Sequence, residues 1–194
     1  MTQAYSPWGA KPLEPRHYAN DNNVPQVVAL TGPAGCGKST AASHFTGRGF
    51  TLVKFAGPLK DAMRAIGLSE EHIEGNVKER PCSILQGKTP RHAMQTLGTE
   101  WGRKCIGEHF WVGLWERRVL EVIDEGGRVV VDDCRFPNEA DAVRKLGGIV
   151  IQLVGRGGIS GEHESERMEF EPDIVLANAG SVDELKQSVT RLVA

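Results

Sequence analysis

The sequence lacks the features that would place the protein in a membrane or on a nucleic acid. No apolar run approaches the roughly 20 residues that a membrane-spanning helix needs. Residues 1–23 are polar, contain prolines and lack the apolar core of a secretory signal. A net charge of -2 gives no strongly basic face for polymeric nucleic acid. We therefore expect a cytosolic protein with no membrane contact, whose partners are small molecules.

Cysteine is also scarce and scattered. The cysteines at positions 36, 82, 105 and 134 form no C-x-x-C pair, so free thiols are expected instead of a disulfide framework or a zinc site. The length of 194 residues predicts one domain with a substantial core. Residues 1–23 show no periodic apolar pattern, and we expect them to form a flexible leader before a domain over residues 24–194.

A glycine-rich motif stands between a predicted strand and a predicted helix. Residues 32–39 read GPAGCGKS and match the G-x-x-x-x-G-K-[ST] pattern of a phosphate-binding loop. The glycines let backbone N–H groups turn toward phosphate oxygens, and the following helix adds its positive N-terminal end. Lys38 is placed to reach the β- and γ-phosphates, and the Ser39 hydroxyl suits Mg²⁺. A glycine-rich turn before an ordinary helix is the alternative, but the flanking patterns favour a nucleoside triphosphate site.

Apolar runs and helical patterns alternate along the chain, which predicts an α/β three-layer sandwich. Its parallel sheet has about five strands, with helices on both faces and ligands at the carboxyl ends of the strands. The predicted strands cover about residues 25–31, 51–55, 128–131, 149–154 and 174–177. The predicted helices cover about residues 38–47, 59–66, 89–104, 109–123 and 138–146, and a last helix begins at 181. Residues 68–89 are expected to form a mobile, irregular surface segment, and residues 155–172 a lid-like loop.

Two adjacent carboxylates follow the third predicted strand. Asp132 and Asp133 stand where proteins with a phosphate-binding loop commonly keep the carboxylate that holds Mg²⁺, directly or through water. A surface turn is the alternative, and Asp133 is preferred because of the residues that come after it. Arg135 suits a pair of phosphate oxygens, whereas Glu139 also fits a simple partner of the helix dipole.

A polar stripe marks the predicted helix over residues 89–104. Arg91, Gln95, Thr99 and Arg103 follow one another at i, i+4 spacing. Arginine, amide and hydroxyl groups on one stripe suit a phosphorylated small molecule, although a solvated helix face is the more common use of such a pattern.

Two later features have both a structural and a functional interpretation. Trp111 and Trp115 are four residues apart, a spacing more typical of core packing than of a base-stacking platform. Arg156 and His163 lie in the polar loop at 155–172, which suits a lid that keeps water away from a transferring phosphoryl group. A disordered excursion is the alternative for this loop.

Several segments resemble one known family. Residues 55–62 (FAGPLKDA), 91–100 (RHAMQTLGTE) and 133–140 (DCRFPNEA) are similar in order and spacing to segments of the phage deoxynucleoside monophosphate kinases. The resemblance runs from about residue 27 to the C-terminus and implies the P-loop nucleoside monophosphate kinase fold. It also implies transfer of the γ-phosphate of ATP to a deoxynucleoside 5′-monophosphate, with Mg²⁺, in the host cell cytoplasm if the protein is phage-encoded.

The same resemblance implies roles for individual residues. ATP would be held by Gly35, Cys36, Gly37, Lys38, Ser39 and Thr40. The acceptor nucleotide would be surrounded by Lys60, Arg91, Gln95, Thr99, Trp111, Asp133, Arg135 and Glu139. Mg²⁺ would be held by Ser39 and Asp133, in part through water, and the catalytic group would comprise Lys38, Asp133, Arg135 and Arg156. Trp115 stays a core residue in this interpretation.

Two other functions remain open from the sequence. Some phage P-loop kinases phosphorylate the hydroxyl of a 5-hydroxymethyl-type pyrimidine in DNA, a reaction that needs a general base, and Asp133 is the candidate for it. A non-catalytic, nucleotide-dependent switch ATPase needs the loop but no acceptor pocket. The preferred base and the oligomeric state are also open. Two tryptophan-bearing turns offer a homodimer face, although core packing is their more usual role.

Overall fold

Five parallel strands form one sheet in the computed structural model, which describes residues 25–156 and 169–192. The strand order is β2-β3-β1-β4-β5, so the first strand lies at the centre. Every strand is parallel to its neighbour. The strands are β1 (Val27–Thr31), β2 (Phe50–Leu52), β3 (Arg128–Val131), β4 (Ile149–Val154) and β5 (Ile174–Ala177). The predicted leader over residues 1–23 lies outside the described residues.

Helices cover both faces of this sheet. They are α1 (Lys38–Thr46), α2 (Gly57–Ala65), α3 (Glu70–Ile73), α4 (Pro90–Gln95), α5 (Phe110–Asp124), α6 (Pro137–Lys145) and α7 (Val182–Leu192). A 3₁₀ turn lies at Ser83–Leu85, and a π-helical stretch at Thr96–Ile106 continues α4. Within the two described ranges, no helix is long and apolar enough to cross a membrane.

The buried residues of β1 show why the fold has three layers. Alternate side chains of a strand point to opposite faces, and every residue of β1 is buried. Val28 and Leu30 pack with buried residues of α1 and α7. Val27 and Ala29 pack with buried residues of α5 and α6. The structure therefore confirms the predicted α/β three-layer sandwich with a five-stranded parallel sheet.

The segment over residues 68–89 differs from its prediction. It contains the short helix α3 and the 3₁₀ turn, so the expectation of an irregular segment is wrong in part. Leu68 and Ile73 are 3% and 1% exposed and join a small apolar core with Leu59, Met63 and Trp111. Two apolar side chains in a polar stretch are enough to fasten it to the domain. The predicted mobility of the segment stays a prediction.

The predicted helix over 89–104 begins as expected but changes type. The Thr89 hydroxyl accepts the His92 N–H at 3.1 Å, and Pro90 occupies the first helical position. From Thr96 to Ile106 the backbone is π-helical, a wider spiral that in most proteins occurs as single turns at functional sites. Gly102 lies in this stretch, and a Cβ there would stand 2.2 Å from Trp111 Nε1. The absence of a side chain at position 102 lets the π-helix lie against the indole ring.

Trp115 is the core residue that the sequence predicts. Its side chain is fully buried, its ring stacks on Phe55 at 4.1 Å between centroids, and its Nε1–H donates to the Val53 carbonyl at 2.9 Å. Trp115→Phe is expected to lower the free energy of unfolding by about 1–3 kcal/mol, because it leaves the buried Val53 carbonyl without its donor. Urea unfolding of both proteins measures this difference. An unchanged midpoint would show that this hydrogen bond contributes nothing net.

Candidate active site

The phosphate-binding loop connects β1 to α1, as the motif predicts. Gly32 has a φ of +131°, and a Cβ on it would stand 2.5 Å from the Leu153 carbonyl oxygen. The loop is therefore seated against β4. Lys38, the first residue of α1, donates from Nζ to the carbonyl oxygens of Gly32 at 2.7 Å and Pro33 at 2.8 Å. Its ammonium group thus lies against the loop itself.

The C-terminal part of the chain supports the same loop. Asn178, which follows β5, donates from Nδ2 to the Cys36 carbonyl at 2.8 Å. Gly37 has a φ of +101°, and a Cβ there would stand 2.5 Å from Asn178 Nδ2. Cys36 is fully buried, and its backbone N–H donates to the Pro33 carbonyl oxygen at 3.3 Å. Asn178 is thus a supporting residue, a role that the sequence did not assign to it.

The six residues predicted to hold ATP are contiguous in the loop and the first turn of α1. In that turn Ser39 is exposed and Thr40 is half-buried, and both line a groove between α1 and α7.

The predicted lid residue Arg156 lies after β4 and donates to the Gly180 carbonyl, in the connection that precedes α7. It does not line the cavity between α2, α4 and the segment after β3. The predicted lid residue His163 lies outside the described residues.

The two carboxylates after β3 have different surroundings. Each oxygen of Asp133 accepts a backbone N–H, from Phe55 at 2.9 Å and from Ala56 at 3.0 Å. Desolvation raises the pKa of Asp133 despite these two bonds, and the neighbouring charge of Asp132 adds to the rise. Asp132 is 6% exposed, its Oδ1 lies 3.4 Å from Lys54 Nζ, and within the described residues this atom has no hydrogen-bond partner.

These carboxylates lie level with the start of the phosphate-binding loop. Val131 of β3 pairs with Ala29 of β1, so continuing the register places Asp133 beside Thr31, the residue before Gly32. A hydroxyl at Ser39 and carboxylate oxygens are the ligand types that Mg²⁺ prefers. Asp132 lies at the same edge, and its Oδ1 is already paired with Lys54 Nζ. The donor set therefore suits Mg²⁺, with Asp132 as a second candidate beside the predicted Asp133.

The eight residues predicted to surround the acceptor all line one cavity of about 280 Å³. It lies between α2, α4 with its π-helical continuation, and the segment after β3. Its apolar wall includes Phe55, Leu59, Ile73, Met94 and Phe136. The predicted polar and aromatic members are Lys60, Arg91, Gln95, Thr99, Trp111, Asp133, Arg135 and Glu139. Sequence segments that are far apart thus meet in one cavity.

Trp111 contributes a wall of the cavity and part of its supporting core. Its side chain is 7% exposed, and its Nε1–H donates to the Gly98 carbonyl at 2.9 Å. The indole N–H is therefore already satisfied by the π-helical stretch, and what Trp111 offers a ligand is apolar ring surface.

Other cavity residues were missed or left without a role by sequence reasoning. Glu74 and Lys78 come from the segment at 68–89, and Arg103 from the π-helical stretch. The apolar residues Leu68 and Ile73 were the sequence signal that this segment packs on the domain. Arg103 belongs to the polar stripe of the predicted helix, but the sequence assigned it no role of its own.

Arg103, Phe136 and Glu139 form a fixed group at the cavity wall. The Arg103 guanidinium lies 3.6 Å from the centre of the Phe136 ring and donates to Glu139 Oε1 at 3.0 Å. Glu139 Oε2 accepts the backbone N–H groups of Arg135 at 2.7 Å and Phe136 at 3.1 Å. Burial raises the pKa of Glu139 to about 7, although the N–H of Arg135 and the charge of Arg103 oppose this, and the Asp133 charge favours it.

Glu139→Gln is expected to change how stability depends on pH. The pKa of Glu139 rises from 4.5 to about 7 on folding, so over this range the folded state keeps a proton that the unfolded state releases. The free energy of unfolding therefore falls as pH rises from about 4.5 to about 7. Glutamine keeps an oxygen for the two backbone N–H groups and should reduce this fall by on the order of 2 kcal/mol.

Urea unfolding of the wild-type and Glu139→Gln proteins near pH 5 and near pH 8 measures the difference. If the free energy of unfolding falls by the same amount in both proteins between these pH values, the raised pKa of Glu139 is contradicted.

The fold and the cavity together are typical of one class of protein. A phosphate-binding loop after the central strand, with a cationic cavity at the carboxyl ends of the strands, is the arrangement of a P-loop phosphotransferase. The family model of the deoxynucleotide monophosphate kinases matches residues 65–189. A protein of Acanthamoeba polyphaga mimivirus, provisionally named a deoxynucleotide monophosphate kinase, is 36% identical over 187 residues. That match covers 86% of this chain and 95% of the mimivirus protein.

This chain belongs to the deoxynucleotide monophosphate kinase family, and it is an ATP-dependent phosphotransferase that acts on nucleotides. These findings confirm the resemblance found in the sequence. Shorter matches support the same family. The deoxynucleotide monophosphate kinase of Enterobacteria phage T4 is 31% identical over 99 residues, 49% of this chain and 41% of the phage protein. The deoxynucleoside-5′-monophosphate kinase of Escherichia phage T5 is 35% identical over 57 residues, 29% of this chain and 22% of the phage protein.

Two solved structures are similar to this chain, and the first of them shares its fold. A Thermus thermophilus protein, TT1252, has a TM-score of 0.50 at 18% identity, with 87% of this chain and 96% of that protein covered. Dephospho-CoA kinase from Campylobacter jejuni has a TM-score of 0.49 at 16% identity, with 87% and 95% covered. At such identities the likeness concerns the fold alone.

Proposed function

We propose that the enzyme transfers the γ-phosphate of ATP to a deoxynucleoside 5′-monophosphate held in the 280 Å³ cavity, giving ADP and the deoxynucleoside diphosphate. The observation that carries this proposal is that eight predicted acceptor residues line one cavity at the sheet edge of the phosphate-binding loop. The viral origin of the relatives supports the further proposal that the enzyme works in the cytoplasm of an infected cell.

Positioning and charge neutralisation carry the reaction. Lys38 neutralises the γ-phosphate, and backbone N–H groups of the loop hold the β-phosphate oxygens. Ser39 and Asp133 would hold Mg²⁺, Asp133 directly or through water. When bound, the metal would supply positive charge that neutralises the phosphates of ATP.

The acceptor phosphate requires its own cations, because two anions must approach each other. Lys60, Arg91 and Arg135 supply them from α2, α4 and the segment after β3. The acceptor oxygen is already anionic, so no general base is needed, and orientation supplies the main advantage. Arg156, which lies beside the loop that precedes α7, is proposed to close over the transferring group from the donor side.

The two alternative functions are not favoured. The viral relatives reported above are named for the phosphorylation of deoxynucleoside monophosphates, not of a hydroxyl in DNA. A switch ATPase needs no acceptor pocket, yet the cavity is present and lined by cations. A homodimer stays a prediction.

Calorimetric titration tests the assignment of the cavity. Each deoxynucleoside monophosphate is titrated into the enzyme and into an Arg91→Gln variant. We expect saturable binding by the wild-type protein and weaker binding by the variant. ATP binding without affinity for any monophosphate would reject the proposed acceptor site.

A further inference from the structure

Asn178 connects the end of the last strand to the phosphate-binding loop. It directly follows β5, whose Ala177 pairs with Val154 of β4, so it lies at the carboxyl ends of the strands, beside the loop. Its side chain donates from Nδ2 to the Cys36 carbonyl oxygen at 2.8 Å, although the two residues are 142 positions apart in the sequence. A residue from the end of the fold therefore holds one peptide group of the loop.

The bond to the Cys36 carbonyl sets the direction of the next N–H group. The described residues contain no cis peptide bond, and in a planar trans peptide the C=O and the following N–H point in opposite directions. Since the Cys36 carbonyl oxygen is turned toward Asn178, the Gly37 N–H points away from it. Asn178 and Leu185 of α7 are buried on one side of this peptide, so the N–H faces the opposite side of the loop.

The contact between the loop and Asn178 is close. A Cβ at position 37 would stand 2.5 Å from Asn178 Nδ2 and 3.4 Å from Leu185 Cδ2. Asn178 is 6% exposed and Leu185 is 3% exposed, and buried side chains in a packed interior have little room to move aside. The peptide between Cys36 and Gly37 is therefore held firmly in one orientation.

The Asn178 side chain is not needed to keep β5 in the sheet. The backbone N–H of Asn178 donates to the Val154 carbonyl at 2.6 Å. At the other end of the strand, Asp173 accepts the Val150 N–H at 2.7 Å and the Arg144 Nε–H at 3.1 Å. These bonds remain when the side chain of Asn178 is changed, so its amide group serves the loop.

We propose that Asn178 is a positioning residue for the donor nucleotide, which orients the Cys36–Gly37 peptide so that the Gly37 N–H faces the β-phosphate of ATP. Backbone N–H groups of such loops hold these phosphates, and Asn178 acts through the peptide without touching the nucleotide. This inference rests on the part of the proposed function that places ATP in the loop, and it does not depend on what the acceptor cavity holds.

Calorimetric titration with ADP, which carries the β-phosphate, tests the proposal on the full chain. Asn178→Ala should weaken ADP binding about tenfold, the effect of losing one hydrogen bond to a charged group. Binding of the four deoxynucleoside monophosphates should change by less than about twofold, because Asn178 does not line the acceptor cavity. In steady-state kinetics the KM for ATP should rise, while the KM for the monophosphate should not.

Two further variants separate positioning of the loop from general loss of stability. Asn178→Asp keeps the size of the side chain but replaces the donating amide by a carboxylate, which only accepts, so it should lose at least as much ADP affinity as Asn178→Ala. Asp173→Ala is the matched control, because it loosens the same strand at its other end. It should lower the midpoint of thermal unfolding and still bind ADP as the wild-type protein does.

The inference is overturned if Asn178→Ala or Asn178→Asp binds ADP as tightly as the wild-type protein. It is also overturned if Asp173→Ala loses ADP affinity to the same extent, since the effect would then come from loosening of the strand. A wild-type protein that binds no ADP would instead overturn the proposed function together with this inference.

Discussion

Lys38→Ala is expected to lower kcat by about 10³-fold, the upper range for removing one preorganised group that stabilises transition-state charge. Lys38 Nζ lies on the carbonyl oxygens of Gly32 and Pro33, at the loop that would hold the transferring phosphoryl group. No other lysine or arginine of the loop is available to replace it. A coupled assay for ADP measures the loss.

Lys145→Ala is the matched control for this substitution. Lys145 is an exposed lysine at the end of α6 and does not line the acceptor cavity. It should leave turnover and thermal stability unchanged. Undiminished turnover in Lys38→Ala would show that the loop lysine does not serve the transferred phosphate.

Arg135→Ala is expected to lower kcat/KM for the deoxynucleoside monophosphate by about 10²-fold, with ATP affinity nearly unchanged. The two effects separate because Arg135 lines the acceptor cavity and not the phosphate-binding loop. Alanine keeps the backbone N–H that donates to Glu139, so the start of α6 should stay intact. Initial rates against each substrate, together with ATP titration, measure the two effects.

Arg117→Ala, at an exposed arginine of α5, serves as the control for loss of a surface charge. Equal losses toward ATP and the monophosphate in Arg135→Ala would reject its assignment to the acceptor side.

The order of the elements and the donor site could be predicted because they depend on local patterns. Buried parallel strands are continuous apolar runs, and the phosphate-binding loop is a contiguous motif. All five strands and the six main helices lie close to their predicted positions. The second strand is shorter than expected, at Phe50–Leu52, although Val53 still donates to the Val130 carbonyl at 3.0 Å.

The acceptor cavity could be predicted only through a family resemblance. Lys60, Arg91 and Glu139 come from segments that no local rule connects, and taken alone the Arg91 stripe looked like a solvated face. The fold brings these segments together at the carboxyl ends of the strands.

Two details of the cavity had no sequence signal. The π-helical backbone from Thr96 to Ile106 packs against Trp111, a contact that forms only when α5 folds back on this stretch. The fixed group of Arg103, Phe136 and Glu139 joins two segments that are more than 30 residues apart in the sequence. The same residues in a straight α-helix would have given only an amphipathic stripe.

Transfer of label from ATP labelled at the γ-phosphate shows whether a free deoxynucleotide or DNA is the acceptor. The wild-type enzyme is incubated with Mg²⁺ and either the four deoxynucleoside monophosphates or duplex DNA that contains 5-hydroxymethyl pyrimidines, and the products are separated by chromatography. A deoxynucleoside monophosphate kinase should give labelled deoxynucleoside diphosphates and leave the DNA unlabelled. Label in the DNA, or release of inorganic phosphate with no labelled diphosphate, would contradict it.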